Sequence, residues 1–294
     1  MRKHPWITSI LCILLAFAAW VGYELYRSYH WPVVNTFTME SDKLHRDYKI
    51  VILADMHGQM FEGLEEQVAE VDPNFIVLVG DMVDADKENT EEVLAVVQKL
   101  MQISDVYYAY GNHEVIRARK ETDLYEKLEK TGVFILDGIQ YDIGDDIRLG
   151  GLYDYPFGWN KGGYNTADSA PEKVQTYLQN FVDTTRFTLF AAHRPDSFYY
   201  SDASEVYPID LVVSGHIHGG QVVLPFKGGL YGGDQGWFPK YCHGMYTKNK
   251  IHMLVTSGLG TGDEKLPRFN NPPEICVLEL KGKQYGSENT GNNQ

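Results

Sequence analysis

Five apolar, β-branched runs in this chain each stop abruptly at a residue able to bind a cation, and that repeated ending constrains the fold more than any other feature. The first is Lys49-Ile-Val-Ile-Leu-Ala-Asp-Met-His-Gly58, where a buried-strand pattern runs into a carboxylate, a spacer, an imidazole and a glycine. Phe75–Val79 ends in Gly80-Asp81-Met82-Val83-Asp84, and Val106–Tyr110 in Gly111-Asn112-His113-Glu114. Phe187–Ala191 ends in Ala192-His193-Arg194-Pro195, and Ile209–Val213 in Ser214-Gly215-His216-Ile217-His218-Gly219-Gly220. Helical patterns separate the early strands: Glu62–Val71, stopped by Asp72-Pro73, a segment capped at Asn89 or Thr90 and running to about Ile103, and Lys120–Lys130, ended by Gly132. Alternating strands and helices predict an α/β class, and the shorter strands later in the chain (Val133–Leu136, Ile139–Ile143, Ile147–Tyr153, Ile251–Thr256, Ile275–Leu280) predict mixed sheets. Ligands in open α/β sheets bind beyond the carboxyl ends of the strands, so all five clusters can converge on one crevice.

The residue types narrow the chemistry. Taken singly each piece is weak: Asp-x-His arises by chance, His113 alone reads as a satisfied histidine, and Gly80-Asp81 alone as an ordinary turn. The ordered set is another matter. Imidazoles with carboxylates and an amide oxygen make a nitrogen and oxygen site without thiolate, suited to Zn, Mn, Fe or Ni rather than to a cysteine-zinc knot or an all-oxygen calcium site. The ligands are too many for one ion, and a carboxylate can bridge two. A pair of ions about 3.5–4 Å apart is the clamp used for in-line displacement at phosphorus.

Composition excludes other classes. A formal net charge of -14 argues against a surface built for nucleic acid and weakens a nuclease reading. Three cysteines make no disulfide scaffold, and with Cys12 in the apolar N-terminus only Cys242 and Cys276 could pair. After Met1-Arg2-Lys3-His4-Pro5 an uncharged run from Trp6 to Tyr23 is long enough to cross a bilayer, with Trp6 at one boundary and Trp20, Tyr23 and Tyr26 at the other. Arg2 and Lys3 place the N-terminus in the cytoplasm and the rest of the chain outside, as a single-pass protein of the cell membrane. The competing reading is a signal peptide cleaved at Ala16-Phe17-Ala18, which would leave a secreted protein. Residues 1–30 are thus expected to be anchor (or signal) and polar-aromatic stalk, 33–283 the functional domain with Val33–Met39 as an outer strand, and 286–294 a disordered tail.

The order and spelling of these motifs resemble the calcineurin-like metallophosphoesterase superfamily, from about Asn35 to Leu280. His216-Ile-His-Gly-Gly-Gln221, Asp234-Gln-Gly236, Ser257-Gly-Leu-Gly260 and Arg268-Phe-Asn-Asn-Pro-Pro-Glu274 are similar to its bacterial, membrane-associated YaeI/YkuE-type phosphodiesterase branch, which includes enzymes acting on lipid-linked pyrophosphates. The resemblance implies a four-layer αββα sandwich, α/β with mixed sheets, behind an N-terminal transmembrane helix. It implies two divalent metal ions (Mn, Zn, Fe or similar): Asp55, His57 and His218 on the first, Asn112, His193 and His216 on the second, and Asp81 bridging. A water or hydroxide shared by the ions would attack a phosphodiester or pyrophosphate, lipid- or envelope-linked. His113 would stabilise the phosphoryl charge or act as general acid, with Asp84 orienting it through its other ring nitrogen. The alternatives are a phosphomonoesterase, or a surface protein that binds phosphate or cell wall without turnover.

One departure bears on substrate. The superfamily's protein phosphatases have Arg-Gly directly after the second Asp, whereas Ala85-Asp86 stand here, which disfavours that activity. Arg194 is an alternative phosphate contact, or a solvated charge beside Pro195. Two stretches rich in glycine and aromatics, one with Tyr155, Phe157, Trp159 and Tyr164 and one with Phe226, Tyr231, Trp237, Phe238 and Tyr241, either wall the crevice and contact the substrate or pack their own loops.

Overall fold

The computed structural model describes residues 5–282 apart from 154–156, 158, 161–162, 165, 200–201 and 263–264, with backbone alone at 5, 159–160 and 163–164. Tyr155 and the expected tail 286–294 therefore lie outside the described residues. In chain order the main strands are β1 (Val33–Ser41), β2 (Tyr48–Leu53), β3 (Phe75–Val79), β4 (Val106–Ala109), β5 (Phe134–Ile135), β6 (Gln140–Ile143), β7 (Ile147–Leu152), β8 (Phe187–Ala192), β9 (Leu211–Ser214), β10 (Gly244–Lys248), β11 (Ile251–Val255) and β12 (Glu274–Gly282). They form two six-stranded sheets, β1-β12-β2-β3-β4-β5 and β10-β11-β9-β8-β7-β6. The first is parallel except where β12 meets β2; the second is parallel inside and antiparallel at both edges.

The period-two alternation of side chains sorts these strands into layers. On β2, Ile50 and Ile52 point between the sheets, where they meet Leu189, Leu211 and Val213 of β8 and β9, while Val51 and Leu53 point outward. Helices α2 (Leu64–Val71), α3 (Thr90–Met101) and α5 (Leu124–Lys130) cover that outer face through Leu64, Val68, Val93, Val97 and Leu128. Helix α6 (Glu172–Val182) covers the outer face of the second sheet through Val174, Leu178 and Phe181. The result is the expected helix–sheet–sheet–helix sandwich, with β1 on an outer edge.

Several local readings shift. Helix α2 begins at Leu64, two residues late, because Gly63 before it is left-handed (φ 76). α5 begins at Leu124 instead of Lys120, since the N–H groups of Lys120 and Glu121 both donate to the Arg117 carbonyl and close the preceding turn. Gly111-Asn112 opens a helix, α4 (Asn112–Arg117), that was not anticipated, and β10 lies in and just beyond the second glycine-aromatic stretch. Cys242 and Cys276 are both free, buried thiols.

The apolar N-terminus is one helix, α1 (Pro5–His30), whose most apolar 18-residue stretch has a mean hydropathy of 1.9, and the helix is long and apolar enough to cross a membrane. The segment read as a stalk, from Glu24, is helical as far as His30. Its last turns dock on the sandwich, burying Glu24 and Ser28. Gln59 donates from Nε2 to the Tyr29 carbonyl at 2.6 Å, the Arg268 backbone N–H donates to the Tyr29 hydroxyl at 3.1 Å, and the Asn271 N–H donates to the Ser28 hydroxyl at 3.2 Å.

Candidate metal centre

The ladder between β2 and β3 continues beyond the strands and carries the first ligand candidates with it. The N–H groups of Asp55, His57 and Gly58 donate to the carbonyls of Gly80, Asp81 and Met82 at 3.0, 2.9 and 2.8 Å. In the second sheet the Gly215 N–H donates to the His193 carbonyl at 3.0 Å, and between the sheets the Leu259 N–H donates to the Ala54 carbonyl at 2.9 Å. Five candidates sit at positive φ: Asp55 (55°), His57 (49°), Asp81 (53°), His216 (72°) and His218 (47°). Left-handed backbone costs a non-glycine residue about 1–2 kcal/mol, so the surrounding hydrogen bonds hold a strained loop set in place. Glycine is required where these loops meet. A Cβ on Gly215 would lie 2.6 Å from the Asp55 carboxylate, and one on Gly80 (φ 78) would lie 2.8 Å from His193 Nδ1.

Three groups of ligand atoms result, each within 4.8 Å of one another: Asp55, His57 and His218; His57, Asp81 and His113; and Asp81, His193 and His216. The structure thus brings together Asp55, His57, Asp81, His113, His193, His216 and His218 from five separate strand ends, whereas Asn112 is in none of the three groups. Asp81 belongs to two of the groups, its Oδ2 standing 3.0 Å from His193 Nε2 and 4.0 Å from His113 Nε2. His57 Nε2 and His218 Nε2 face each other at 3.3 Å. The other ring nitrogens are fixed by backbone: His193 Nδ1 is 2.7 Å from the Val79 carbonyl and His218 Nδ1 3.1 Å from the Gly260 carbonyl. A ring that donates from Nδ1 keeps the Nε2 lone pair for a cation.

Protonation follows burial and neighbours. Burial pushes His57 and His216 down to about 3 and His218 well below its usual range, so all three imidazoles are neutral. Burial also lifts Asp55, with the Asp81 charge adding to it. For Asp81 burial is outweighed by His193, then His113 and His57, and its carboxyl stays well below the usual carboxylate range. His193 is raised despite its burial, because Asp81 and Asp55 flank it.

The chemistry of this donor set fits a divalent metal. His57 Nδ1, Asn112 Oδ1 and His193 Nε2 are buried with no hydrogen-bond partner of good geometry, although an unmet buried polar atom is costly. Neutral imidazoles facing one another beside the ionised Asp81 carboxylate are an arrangement that a cation stabilises.

One expected contact is replaced. Asp84 does not orient His113 directly: the His113 Nδ1 accepts the Ala85 N–H at 2.9 Å. Asp84 instead accepts the N–H groups of Asp86 and Lys87 at 2.9 and 3.1 Å and pairs with Lys87 Nζ at 3.0 Å, shaping the turn that presents Ala85. A short acidic turn residue binds its own following backbone more readily than a ring elsewhere. Because Nδ1 is the acceptor, neutral His113 carries its proton on Nε2, the atom nearer Asp81. Arg194 lies in the cavity and is no solvated charge: its Nη1 is 2.6 Å from His216 Nε2 and pairs with Asp234, a residue the sequence reading left without a role.

Glu114 was also missed as a functional residue. Fully buried, it accepts the N–H groups of Asp81 and Gly111 on Oε2 and those of Met82 and Val83, with the Tyr108 hydroxyl, on Oε1. Glu114→Gln would turn an amide group toward two of those donors. It is expected to cost at least about 2 kcal/mol in denaturant unfolding, the scale of two unmet buried N–H groups. Asn89, the N-cap residue of α3, donates from its side chain to the His57 carbonyl at 3.2 Å and accepts the Asp84 N–H, without a side-chain bond to the helix. Arg268, wholly buried, donates to the carbonyls of Ser257, Gly258, Gly260, Asn271 and Pro272, and Asn271 donates to the His218 carbonyl at 2.8 Å.

Residues 48–220, which include all seven metal-ligand candidates, match the model of the family described as calcineurin-like phosphoesterase. The chain belongs to that family. Its members are metal-dependent hydrolases of phosphate esters. Similar relatives include an uncharacterized metallophosphoesterase of Campylobacter jejuni (31% identical, 86% of this chain and 64% of that one) and the uncharacterized metallophosphoesterase YkuE of Bacillus subtilis (29%, 88% and 89%). The phosphodiesterase YaeI of Escherichia coli is 27% identical over 79% of this calcineurin-like chain and 82% of its own. The present chain spans less than two thirds of the Campylobacter relative's length.

Proposed function

We propose that this chain is a membrane-anchored phosphoesterase with a two-metal centre, which hydrolyses a phosphodiester or pyrophosphate bond in a lipid- or envelope-linked substrate. The observation that carries the reading is that Asp81 is common to two of the three ligand groups, so that one carboxylate can serve two ions. Asp55, His57 and His218 would hold one, Asn112, His193 and His216 the other, and Asp81 both. The pair would supply a deprotonated water for in-line attack and stabilise charge at phosphorus. His113, with its proton kept on Nε2 by the Ala85 N–H, is placed to donate to the leaving oxygen. Asp84 acts through the turn that carries Ala85, as a positioning residue.

A diester is preferred because YaeI, similar over most of this chain, is named a phosphodiesterase. The loop that holds Asp234 beside His216 also carries Trp237 and Phe238, both more than half exposed, which offer an apolar surface to the rest of the substrate. In this reading 1–30 is the anchor, with Arg2 and Lys3 in the cytoplasm. Residues 33–283 form the catalytic domain outside the cell membrane.

The test is metal content and turnover of the full chain in detergent, comparing bis(p-nitrophenyl) phosphate with p-nitrophenyl phosphate at added Mn or Zn. Two ions per chain and faster diester hydrolysis are expected. Preference for the monoester would make the protein a phosphomonoesterase. Two bound ions with neither substrate cleaved would leave phosphate binding without turnover.

A further inference from the structure

The hairpin that follows the last metal-ligand candidates ends in an anomaly. Its strands, Val223–Leu224 and Gly228–Gly229, pair antiparallel, and Lys227 N–H donates to the Leu224 carbonyl at 3.2 Å, closing a turn with Pro225 second and Phe226 third. Phe226 has φ 65, the conformation for which such a turn normally selects glycine, and its side chain is completely exposed. A bulky aromatic residue in strained backbone with nothing packed on it contributes nothing to folding. Lys227 beside it is exposed as well.

The hairpin is linked to α1 through Phe269 and Asn271. At its root, the Asn271 amide donates to the Gln221 carbonyl at 3.1 Å, and the Asn271 N–H donates to Ser28 of α1. Further along, Phe269 pairs with Val222 and its carbonyl accepts the Val223 N–H, while its ring packs edge-on against Trp20 with centroids 5.5 Å apart. Ser28 to Trp20 is eight residues, ~12 Å of helix toward the N-terminus at 1.5 Å per residue. The hairpin is thus rooted on Phe269, the residue that meets Trp20 in the apolar half of α1.

Helix length sets the depth. A hydrocarbon core of about 30 Å takes ~20 helical residues, which from Trp6 reaches roughly Leu25. The sandwich already touches α1 at Trp20. Some five residues, ~7 Å, are left over, and interfacial segments sit at about 5–10 Å depth. The side of the sandwich that meets Trp20 must then enter the interfacial layer.

We infer that the hairpin 222–230 is a second membrane contact, its Phe226 seated among acyl chains below the headgroups and Lys227 at their phosphates. The inference rests on the membrane reading of α1 and deepens it. His218, four residues before the hairpin, is thereby held next to the bilayer surface, within reach of a phosphate fixed at headgroup level rather than one free in solution.

The test attaches a nitroxide at Phe226→Cys in the full chain carrying Cys12→Ser, reconstituted in phosphatidylcholine–phosphatidylglycerol nanodiscs. Cys242 and Cys276 are buried. Collision rates with oxygen and with a water-soluble nickel chelate report the surroundings. Controls are Leu14→Cys in the apolar half of α1 and Asp145→Cys, exposed in the β6–β7 turn at the opposite end of the strands from the site. The oxygen-to-nickel ratio at 226 is expected to be several-fold above that at 145 and to approach that at 14. A ratio at 226 equal to that at 145, with 14 in lipid, overturns the inference alone. An aqueous ratio at 14 as well overturns the membrane reading with it. Unchanged bis(p-nitrophenyl) phosphate hydrolysis by the labelled protein confirms its fold.

Discussion

Asp81→Asn is expected to lower turnover by on the order of 10³-fold or more, the several kcal/mol of transition-state charge stabilisation that a metal clamp contributes. The substitution is close to isosteric. Its remaining oxygen can still accept the His113 N–H that Asp81 Oδ1 takes at 2.7 Å, so the start of α4 is kept. What disappears is the charge that two ligand groups share. Metal content should fall from two ions to one or fewer per chain, and the rise in thermal midpoint on adding Mn or Zn should shrink with it, since ligand stabilisation follows occupancy. The metal-free unfolding midpoint separates this from a folding defect. A variant that keeps two ions and full turnover would show that Asp81 is not the shared ligand.

The strand ends were legible because two independent signals coincide there: an apolar β-branched run, and a glycine-bearing break that ends in a ligand type. Val51 and Leu53 against Ile50 and Ile52 show the first directly, since both faces of β2 are buried and the run is unbroken. Helix α4 was hidden for the opposite reason: six residues are too few to express a 3.6-residue period. Arg268 and Glu114 were illegible as structural groups because sequence does not reveal which charged residues are buried. Each is held by backbone carbonyls or N–H groups whose positions exist only once the loops have formed. Asp84 was recognised but given the wrong neighbour, since a turn within four residues competes with a ring 29 positions away. The docking of α1 on Arg268 and Asn271 spans about 240 positions in the chain, and no local pattern announces it.

His113→Asn should reduce turnover by about 10²–10⁴-fold, the usual contribution of a general acid, and by an amount that depends on the leaving group. The Ala85 N–H leaves neutral His113 with its proton on Nε2, which makes it a donor toward the cavity. Protonating the leaving oxygen matters most for alkoxides, which depart poorly, and least for p-nitrophenolate. Across a series of aryl and alkyl phosphodiesters the loss should therefore steepen as the leaving group becomes more basic. Asp84→Ala, which removes the turn behind Ala85 but keeps the imidazole, should show the same trend with a smaller slope. Equal losses across the series would assign His113 to charge stabilisation at phosphorus, because a group that only neutralises the phosphoryl oxygens is indifferent to the basicity of the oxygen that leaves.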